Sequence, residues 1–250
     1  DVAAYRERAC EWAEGLPDVA LVVVDSYLLE KPLYEALNGR FLVVVDDNAR
    51  LAYGSDLLIN PNIYAPDLPY DADHARHYCL GGSYALLRGA FHSRAARAIS
   101  PDIKSVAISL GGGGSWELVQ EMAQILLDRD LHVTAVLPEA GERKLPGVEL
   151  RSGLDAEQMA ELYRHHDILI SGAGQSLNEI ATLGGVAIPV LLAPNQERNL
   201  QALLASRWVR EWIDPAGDIQ EQLTISLEQL ASWGVRSSIS ELGPRLVDAN

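Results

Sequence analysis

Three short stretches carry residue types and spacings suited to chemistry. In Asp167-Ile-Leu-Ile-Ser171-Gly172-Ala173-Gly174-Gln175-Ser176, a short apolar strand (167–170) breaks into a glycine turn, and a helix opens at Ser176. A helix that begins at a glycine turn offers free backbone N–H groups and the positive end of its dipole to an anion. A second apolar strand, 187–192, runs into Ala193-Pro194-Asn195-Gln196-Glu197-Arg198-Asn199, where side-chain amides both donate and accept before another helix opens. In an open parallel sheet, ligands sit at the carboxyl ends of strands. These are therefore two adjacent ligand-facing loops, the first shaped for phosphate. The third stretch is the glycine turn Gly111-Gly112-Gly113-Gly114, which follows the apolar run 105–110. As a close-approach loop it would let backbone N–H groups touch a diphosphate; as a plain flexible turn it needs no ligand.

Each stretch also has a purely structural reading. Ser176-x-x-Glu179 is a capping box, in which the serine bonds the first-turn N–H groups and Glu179 reaches back. Gly172-x-Gly174 lacks the third glycine of the dinucleotide fingerprint, Leu177 standing in its place, and no Gly-Lys-Ser/Thr follows the Gly111 turn as a Walker loop requires.

In the first half, three apolar runs in succession end in acids or amides. Run 20–24 ends in Asp25-Ser26-Tyr27, run 41–45 in Asp46-Asp47-Asn48, and run 56–59 in Asn60-Pro61-Asn62. Polar residues end many strands, but three such ends in a parallel sheet would line one crevice. His74 and His77 stand at i, i+3 without further ligands nearby, so no metal site is expected. Cys10 and Cys79 have no metal spacing and form no disulfide framework, which fits a reducing cytoplasm.

The elements that must position these residues follow from pattern. At 250 residues the chain has room for one large or two small domains, and 48% apolar with 22% charged residues is ordinary for a globular protein. A net charge of −15 argues against nucleic acid or an anionic membrane as partner. It leaves phosphate binding open, since loop N–H groups act locally. No apolar run approaches the ~18 residues of a membrane span, and no signal peptide opens the sequence. Residues 1–15 read as the end of a helix, 32–37 as a short helix with proline in its first turn, and 64–78 as a loop. Further helices are expected at 116–128, 155–165, from 176, across 201–212, and at 219–233, with strands at 132–137 and 148–150. Buried runs alternating with amphipathic helices predict an α/β architecture of parallel sheets. Residues 1–91 form an incomplete Rossmann-like domain, 92–102 a linker, and 103–250 a complete Rossmann-like, nucleotide-binding domain.

Taken in order, Val24-Asp25-Ser26-Tyr27, Val45-Asp46-Asp47, Leu58-Ile59-Asn60-Pro61-Asn62, Leu80-Gly81-Gly82-Ser83-Tyr84-Ala85-Leu86-Leu87-Arg88 with Phe91, Leu110-Gly111-Gly112, Ser171-Gly172-Ala173-Gly174 with Glu179, and Asn195-Gln196 resemble one family. It is the UDP-sugar hydrolase of pseudaminic acid biosynthesis, itself similar to the two-domain GT-B glycosyltransferases. The resemblance runs over nearly the whole chain and implies a UDP-sugar ligand, no cofactor, and cleavage of the anomeric C–O bond with UDP leaving. It implies that Gly111, Gly112, Gly113, Gly172, Gly174, Gln175 and Ser176 surround the diphosphate, Glu179 the ribose, and Asn195 and Gln196 the sugar. Asp25, Tyr27 and Asp47 would face the sugar and water, with the two aspartates as candidate catalytic groups. Two features depart from the family. Its Gly-x-Gly-His-x-x-Arg loop, with the proposed catalytic histidine, has no counterpart among the six histidines, and Gly113-Gly114-Ser115 stands where an acid is usual. A glycosyltransferase of the same fold, or a binding protein without catalysis, are the alternatives.

Overall fold

The structure, a computed structural model, describes residues 2–17, 21–92, 97–139, 141 and 143–247. It divides into two units, Asp1–Ala85 and Leu86–Asn250. The sequence placed the first domain's end at 91 and a linker at 92–102, of which 93–96 lie outside the described residues. Residues 86–92 group with the second unit for visible reasons. Phe91 is fully buried against Tyr163, ring centroids 6.0 Å apart, and Arg164 donates to the Ala90 carbonyl at 3.2 Å.

The first unit runs α1 (Val2–Glu14), β1 (Leu21–Asp25), α2 (Lys31–Ala36), β2 (Phe41–Val45), β3 (Ser55–Asn60) and β4 (Ala75–Leu80). The four strands are all parallel and stand side by side in chain order. β1 and β2 are β-branched runs, which suit a pleated, covered surface. Val22, Val24, Leu33, Leu37, Leu42, Val44 and Leu58 close the core. The run at β1 was expected to be covered on both faces. Instead it alternates, Val22 and Val24 inward, Leu21 and Val23 exposed, so among the described residues one face of this strand is packed and the other uncovered. β4 corrects the expected loop over 64–78. Ala75-Arg76-His77-Tyr78-Cys79-Leu80 shows no apolar run of its own. Its ladder with β3, from Ser55↔Ala75 to Asn60↔Leu80, makes it a strand.

The second unit runs β5 (Ser105–Ser109), α3 (Trp116–Leu127), β6 (His132–Leu137), β7 (Val148–Ser152), α4 (Ala156–His165), β8 (Ile168–Gly172), α5 (Ser176–Thr182), β9 (Ala187–Val190), α6 (Glu197–Ala205), α7 (Ile219–Gln229) and α8 (Trp233–Leu246). Its five parallel strands lie in the order β7-β6-β5-β8-β9. Ser115 caps α3 by accepting from the Leu118 N–H at 3.1 Å, and Asp155 with Gln158 forms a capping box on α4. Val119, Met122 and Leu126 of α3, and Leu162 and Tyr163 of α4, are buried. From β5 the chain builds outward through β6 and β7, then returns to β5's other side for β8 and β9. Strand order thus reverses between β5 and β8, the switch point at which doubly wound sheets bind ligands.

Two expected helices end differently. The one expected to reach 212 stops at Ala205, where Arg207 adopts a left-handed φ of 66° and turns Trp208 and Val209 into the core. The helix expected at 219–233 is α7, which ends at Gln229, and a further helix, α8, opens at Trp233. Arg236, 1% exposed, points back and donates to the Leu230, Ala231, Ser100 and Pro101 carbonyls, which fixes the bend between α7 and α8. No helix among the described residues is long and apolar enough to cross a membrane.

Candidate functional site

In the second unit, three neighbouring strands deliver three loops to one edge of the sheet. β5 ends in the 3₁₀ turn Gly111–Gly113, β8 in the turn through Ala173, Gly174 and Gln175, and β9 in a segment reaching the 3₁₀ turn Pro194–Gln196. The loops pack closely. A Cβ on Gly172 would lie 2.8 Å from Leu192 Cδ1 and 3.0 Å from the Leu110 carbonyl oxygen, so only hydrogen fits there. Gly111 has φ +65°, a conformation that favours glycine. Gly112 is different: a Cβ there would meet nothing within 4 Å. Its backbone borders open space, as a loop that admits a ligand requires.

Gln196 ties two of the loops together. Its Oε1 accepts from the Leu192 and Ala193 N–H groups at 2.9 and 3.2 Å, and its Nε2 lies 3.8 Å from where a Gly174 Cβ would stand. Asn195 is exposed beside it. The Gln175 side chain holds the loop locally, donating to the Leu86 carbonyl at 2.9 Å and accepting from Asn178 at 3.3 Å.

The capping-box reading of Ser176-x-x-Glu179 does not hold. Gln175 occupies the N-cap with helical angles, no side chain caps α5, and Ser176 is already the first helical residue. The N–H groups of Gly174, Gln175 and Ser176 have no backbone acceptor among the described residues. α5 has seven residues, too few turns for a large dipole, so anion affinity here rests on the turn's N–H groups rather than on the helix.

Glu179 turns away from the helix start and pairs with Arg88. Arg88 Nε donates to Oε1 at 2.8 Å and Nη2 to Oε2 at 2.9 Å. The Arg88 guanidinium also lies over the Phe91 ring, 4.9 Å from its centroid, and the carboxylate holds the guanidinium's pKa above its usual value. Each carboxylate oxygen keeps a lone pair beyond those that Arg88 uses, so Glu179 can still accept from a ligand hydroxyl. Phe91 in turn packs on Tyr163 of α4, whose hydroxyl is buried.

In the first unit, the acids and amides at the ends of β1, β2 and β3 come together as the strand order requires. Asp46 is committed internally: it accepts from the Tyr53 hydroxyl at 2.5 Å, the Tyr70 hydroxyl at 2.6 Å and the Ala49 N–H at 2.7 Å. Burial, then the bond to Asp46, pushes both tyrosine pKa values up. Asp47 Oδ1 accepts from Asn62 Nδ2 at 2.9 Å, and its backbone carbonyl accepts from the Tyr64 hydroxyl at 2.9 Å. Burial lifts the Asp47 carboxyl above the usual carboxylate range; the Asn62 bond opposes this and the charge of Asp25 adds to it. Asp25 and Tyr27 stand at the open end of β1.

Sequence reasoning named the glycine turns, Glu179 and the strand-end acids. It set Asn62 only among the strand-end residues lining the crevice and gave no site role to Arg88. Arg88 and Asn62 were visible inside quoted motifs, but nothing local tells that Arg88 meets a carboxylate 91 residues away.

No family model matches the chain, and no curated protein matches it by sequence. Solved structures do match. MurG of Acinetobacter baumannii is similar at a TM-score of 0.64 and 16% identity, covering 98% of this chain and 74% of its own. S. aureus MnaA, in a co-structure with UDP, gives 0.64 and 13%, covering 99% of this chain and 78% of its own. Arabidopsis thaliana UGT89C1, complexed with UDP-L-rhamnose, gives 0.63 and 13%, covering 99% and 72%. At such identities the likeness speaks for the fold, and that fold is GT-B-like: two α/β units, each built on a parallel sheet.

Proposed function

We propose that the second unit binds the UDP moiety of a nucleotide sugar, and that the chain is a UDP-sugar hydrolase-like protein of nonulosonic, pseudaminic-type acid biosynthesis. The observation that carries this is the pair of glycine turns flanking the switch point between β5 and β8, with unspent N–H groups at Gly174, Gln175 and Ser176. In this reading Gly111, Gly112, Gly113, Gly172, Gly174, Gln175 and Ser176 surround the diphosphate. Glu179 accepts from the ribose hydroxyls, and Asn195 and Gln196 face the sugar. Structures of similar fold that carry UDP or UDP-L-rhamnose support a uridine nucleotide. Cleavage of the anomeric C–O bond sends negative charge onto the departing UDP, where preorganised N–H donors stabilise it. Asp25 and Asp47 are the candidates for activating water.

A second reading, a nucleotide-sugar-binding protein or transferase that activates no water, is favoured by Asp47, whose carboxylate is already tied to Asn62. Two measurements on the purified chain separate the readings. Calorimetric titration with UDP tests the nucleotide site, and no heat of binding at millimolar UDP would defeat it. Release of free UDP from UDP-linked acetamido and diacetamido sugars tests hydrolysis. Binding without release selects the second reading.

A further inference from the structure

A chain of hydrogen bonds at the end of β3 joins Asp46 to Asp47. It starts at the Asp46 carboxylate, which can only accept. The Tyr53 and Tyr70 hydroxyls therefore both donate to it, at 2.5 and 2.6 Å. With its hydrogen spent, the Tyr70 oxygen has only lone pairs left, so the next group must donate. That group is Asn60, 0% exposed, whose Nδ2 lies 2.9 Å away. Asn60 Oδ1 then faces Asn62 and accepts twice, from its backbone N–H at 3.1 Å and from its Nδ2 at 3.0 Å. The first of these closes an Asx turn over Pro61. Asn62 Nδ2 also donates to Asp47 Oδ1 at 2.9 Å. Each link allows one direction only, and the chain ends in a donor aimed at Asp47.

We propose that Asn60 is a positioning residue for hydrolysis: through the Asn60-Pro61-Asn62 turn it holds the Asn62 amide with its N–H toward Asp47 Oδ1, which fixes that carboxylate and leaves Oδ2 for water. This rests on the reading of Asp47 as the candidate base. Asn60 acts through Asn62; its own side chain bonds Tyr70 and Asn62. Without the Asn60 oxygen, nothing in the chain keeps the Asn62 amide from turning its own oxygen toward Asp47, where two acceptors would meet. The Asn62 bond draws the Asp47 carboxyl down against burial, and the charge of Asp25 pushes it up. Loss of the bond should therefore raise Asp47 further.

The test is the carboxyl titration of Asp47, followed by ¹³C NMR in wild type, Asn62→Ala, Asn60→Ala and the double variant, with thermal midpoints alongside. Asn62→Ala should move the Asp47 titration to higher pH. Asn60→Ala should move it in the same direction by a comparable shift, and the double variant no further, since both changes cut one path. Should Asn60→Ala fail to fold, Tyr70→Phe takes its place: it keeps the ring, removes the acceptor that holds Asn60 Nδ2, and should also raise the Asp47 titration. A variant at Asn60, or Tyr70→Phe in its stead, that melts lower yet titrates Asp47 as wild type does would reduce the chain to structural support and overturn the proposal. So would full additivity with Asn62→Ala. The titration needs no substrate and is read apart from turnover. If the wild-type chain releases no UDP at any pH, the hydrolysis reading fails on that measurement alone, and the positioning role falls with it. If it does release UDP, the pH profile of release should move with the Asp47 titration in Asn60→Ala.

Discussion

Arg88 and Glu179 form a two-pronged pair, 2.8 and 2.9 Å, in which the carboxylate side chain is 5% exposed and the arginine 49%. The asymmetry makes the two partners unequal. Removing the arginine strands a buried carboxylate; removing the glutamate leaves a guanidinium that water can solvate. Arg88→Ala is therefore expected to destabilise the second unit by about 1–3 kcal/mol, below the ~3–5 kcal/mol of a fully buried broken pair because water screens the arginine. Adding Glu179→Gln should recover part of the loss, read from urea midpoints. Glu179→Ala alone should cost UDP affinity about tenfold or more, while moving the melt less than Arg88→Ala does. An Arg88→Ala variant as stable as wild type would reduce the pair to an ordinary surface contact.

The glycine turns give a second test, because two of their glycines meet opposite surroundings. A Cβ on Gly172 would press on Leu192 and the Leu110 carbonyl, whereas one on Gly112 would meet nothing within 4 Å. Gly172→Ala is expected to destabilise the unit by roughly 1–3 kcal/mol through overpacking. Gly112→Ala should leave stability within about 0.5 kcal/mol, or raise it slightly by restricting the unfolded chain. Yet Gly112→Ala should weaken UDP binding about tenfold, since a methyl would stand where a diphosphate approaches the backbone. Unchanged UDP affinity in Gly112→Ala would take the Gly111–Gly113 turn out of the site.

What the sequence made legible, and what it hid, follows from where each feature's cause lies. β2 and β6 were readable to the residue because Phe-Leu-Val-Val-Val and His-Val-Thr-Ala-Val-Leu carry their strand preference in their own composition. β4 was not, because its ladder with β3 decides it rather than its side chains. The break between α7 and α8 escaped because it is set by Arg236, which reaches across to the Ser100 and Pro101 carbonyls, 136 and 135 residues away. The same split runs through the site. Glycine turns after apolar runs are a local signal, so they were found. The Arg88–Glu179 pair is a product of tertiary packing, and spacing alone cannot show it.

Asp47 gives a prediction in pH. Its folded-state carboxyl is raised above the usual 3.8, chiefly by burial, so the folded protein holds a proton that the unfolded chain would release. Between those two values stability falls as pH rises, and above the folded value the full penalty applies. Asp47→Asn removes the charge while its amide oxygen can still accept from Asn62. The variant should therefore melt higher than wild type at pH 7, and the gap should narrow as pH falls toward 3.8. A gap that stays constant between pH ~7 and ~4 would show that the Asp47 charge carries no penalty in the folded state.

Turnover is the most exposed prediction. A positioned base contributes roughly 10²–10⁴-fold to attack by water. In the proposed hydrolysis the candidates for that base are the strand-end carboxylates Asp25 and Asp47. Asp47 has the better environment, since its raised pKa makes it a stronger base than an ordinary carboxylate. Its Oδ1 is already engaged by Asn62, which leaves Oδ2 and one further lone pair for a water. Hydrolysis of UDP-linked acetamido sugars by this polypeptide is accordingly expected well below about 1 per second. What rate there is should rise with pH through the Asp47 titration and then level off, because the ionised form is the base. Asp47→Asn should abolish that rate while leaving UDP affinity intact, since the proposed nucleotide contacts all lie in the second unit. Steady-state release of UDP across pH, for wild type, Asp47→Asn and Asp25→Asn, decides the matter. A rate at or above about 1 per second would refute the expectation of slow turnover. Retention of the rate in Asp47→Asn with its loss in Asp25→Asn would move the base to the end of β1.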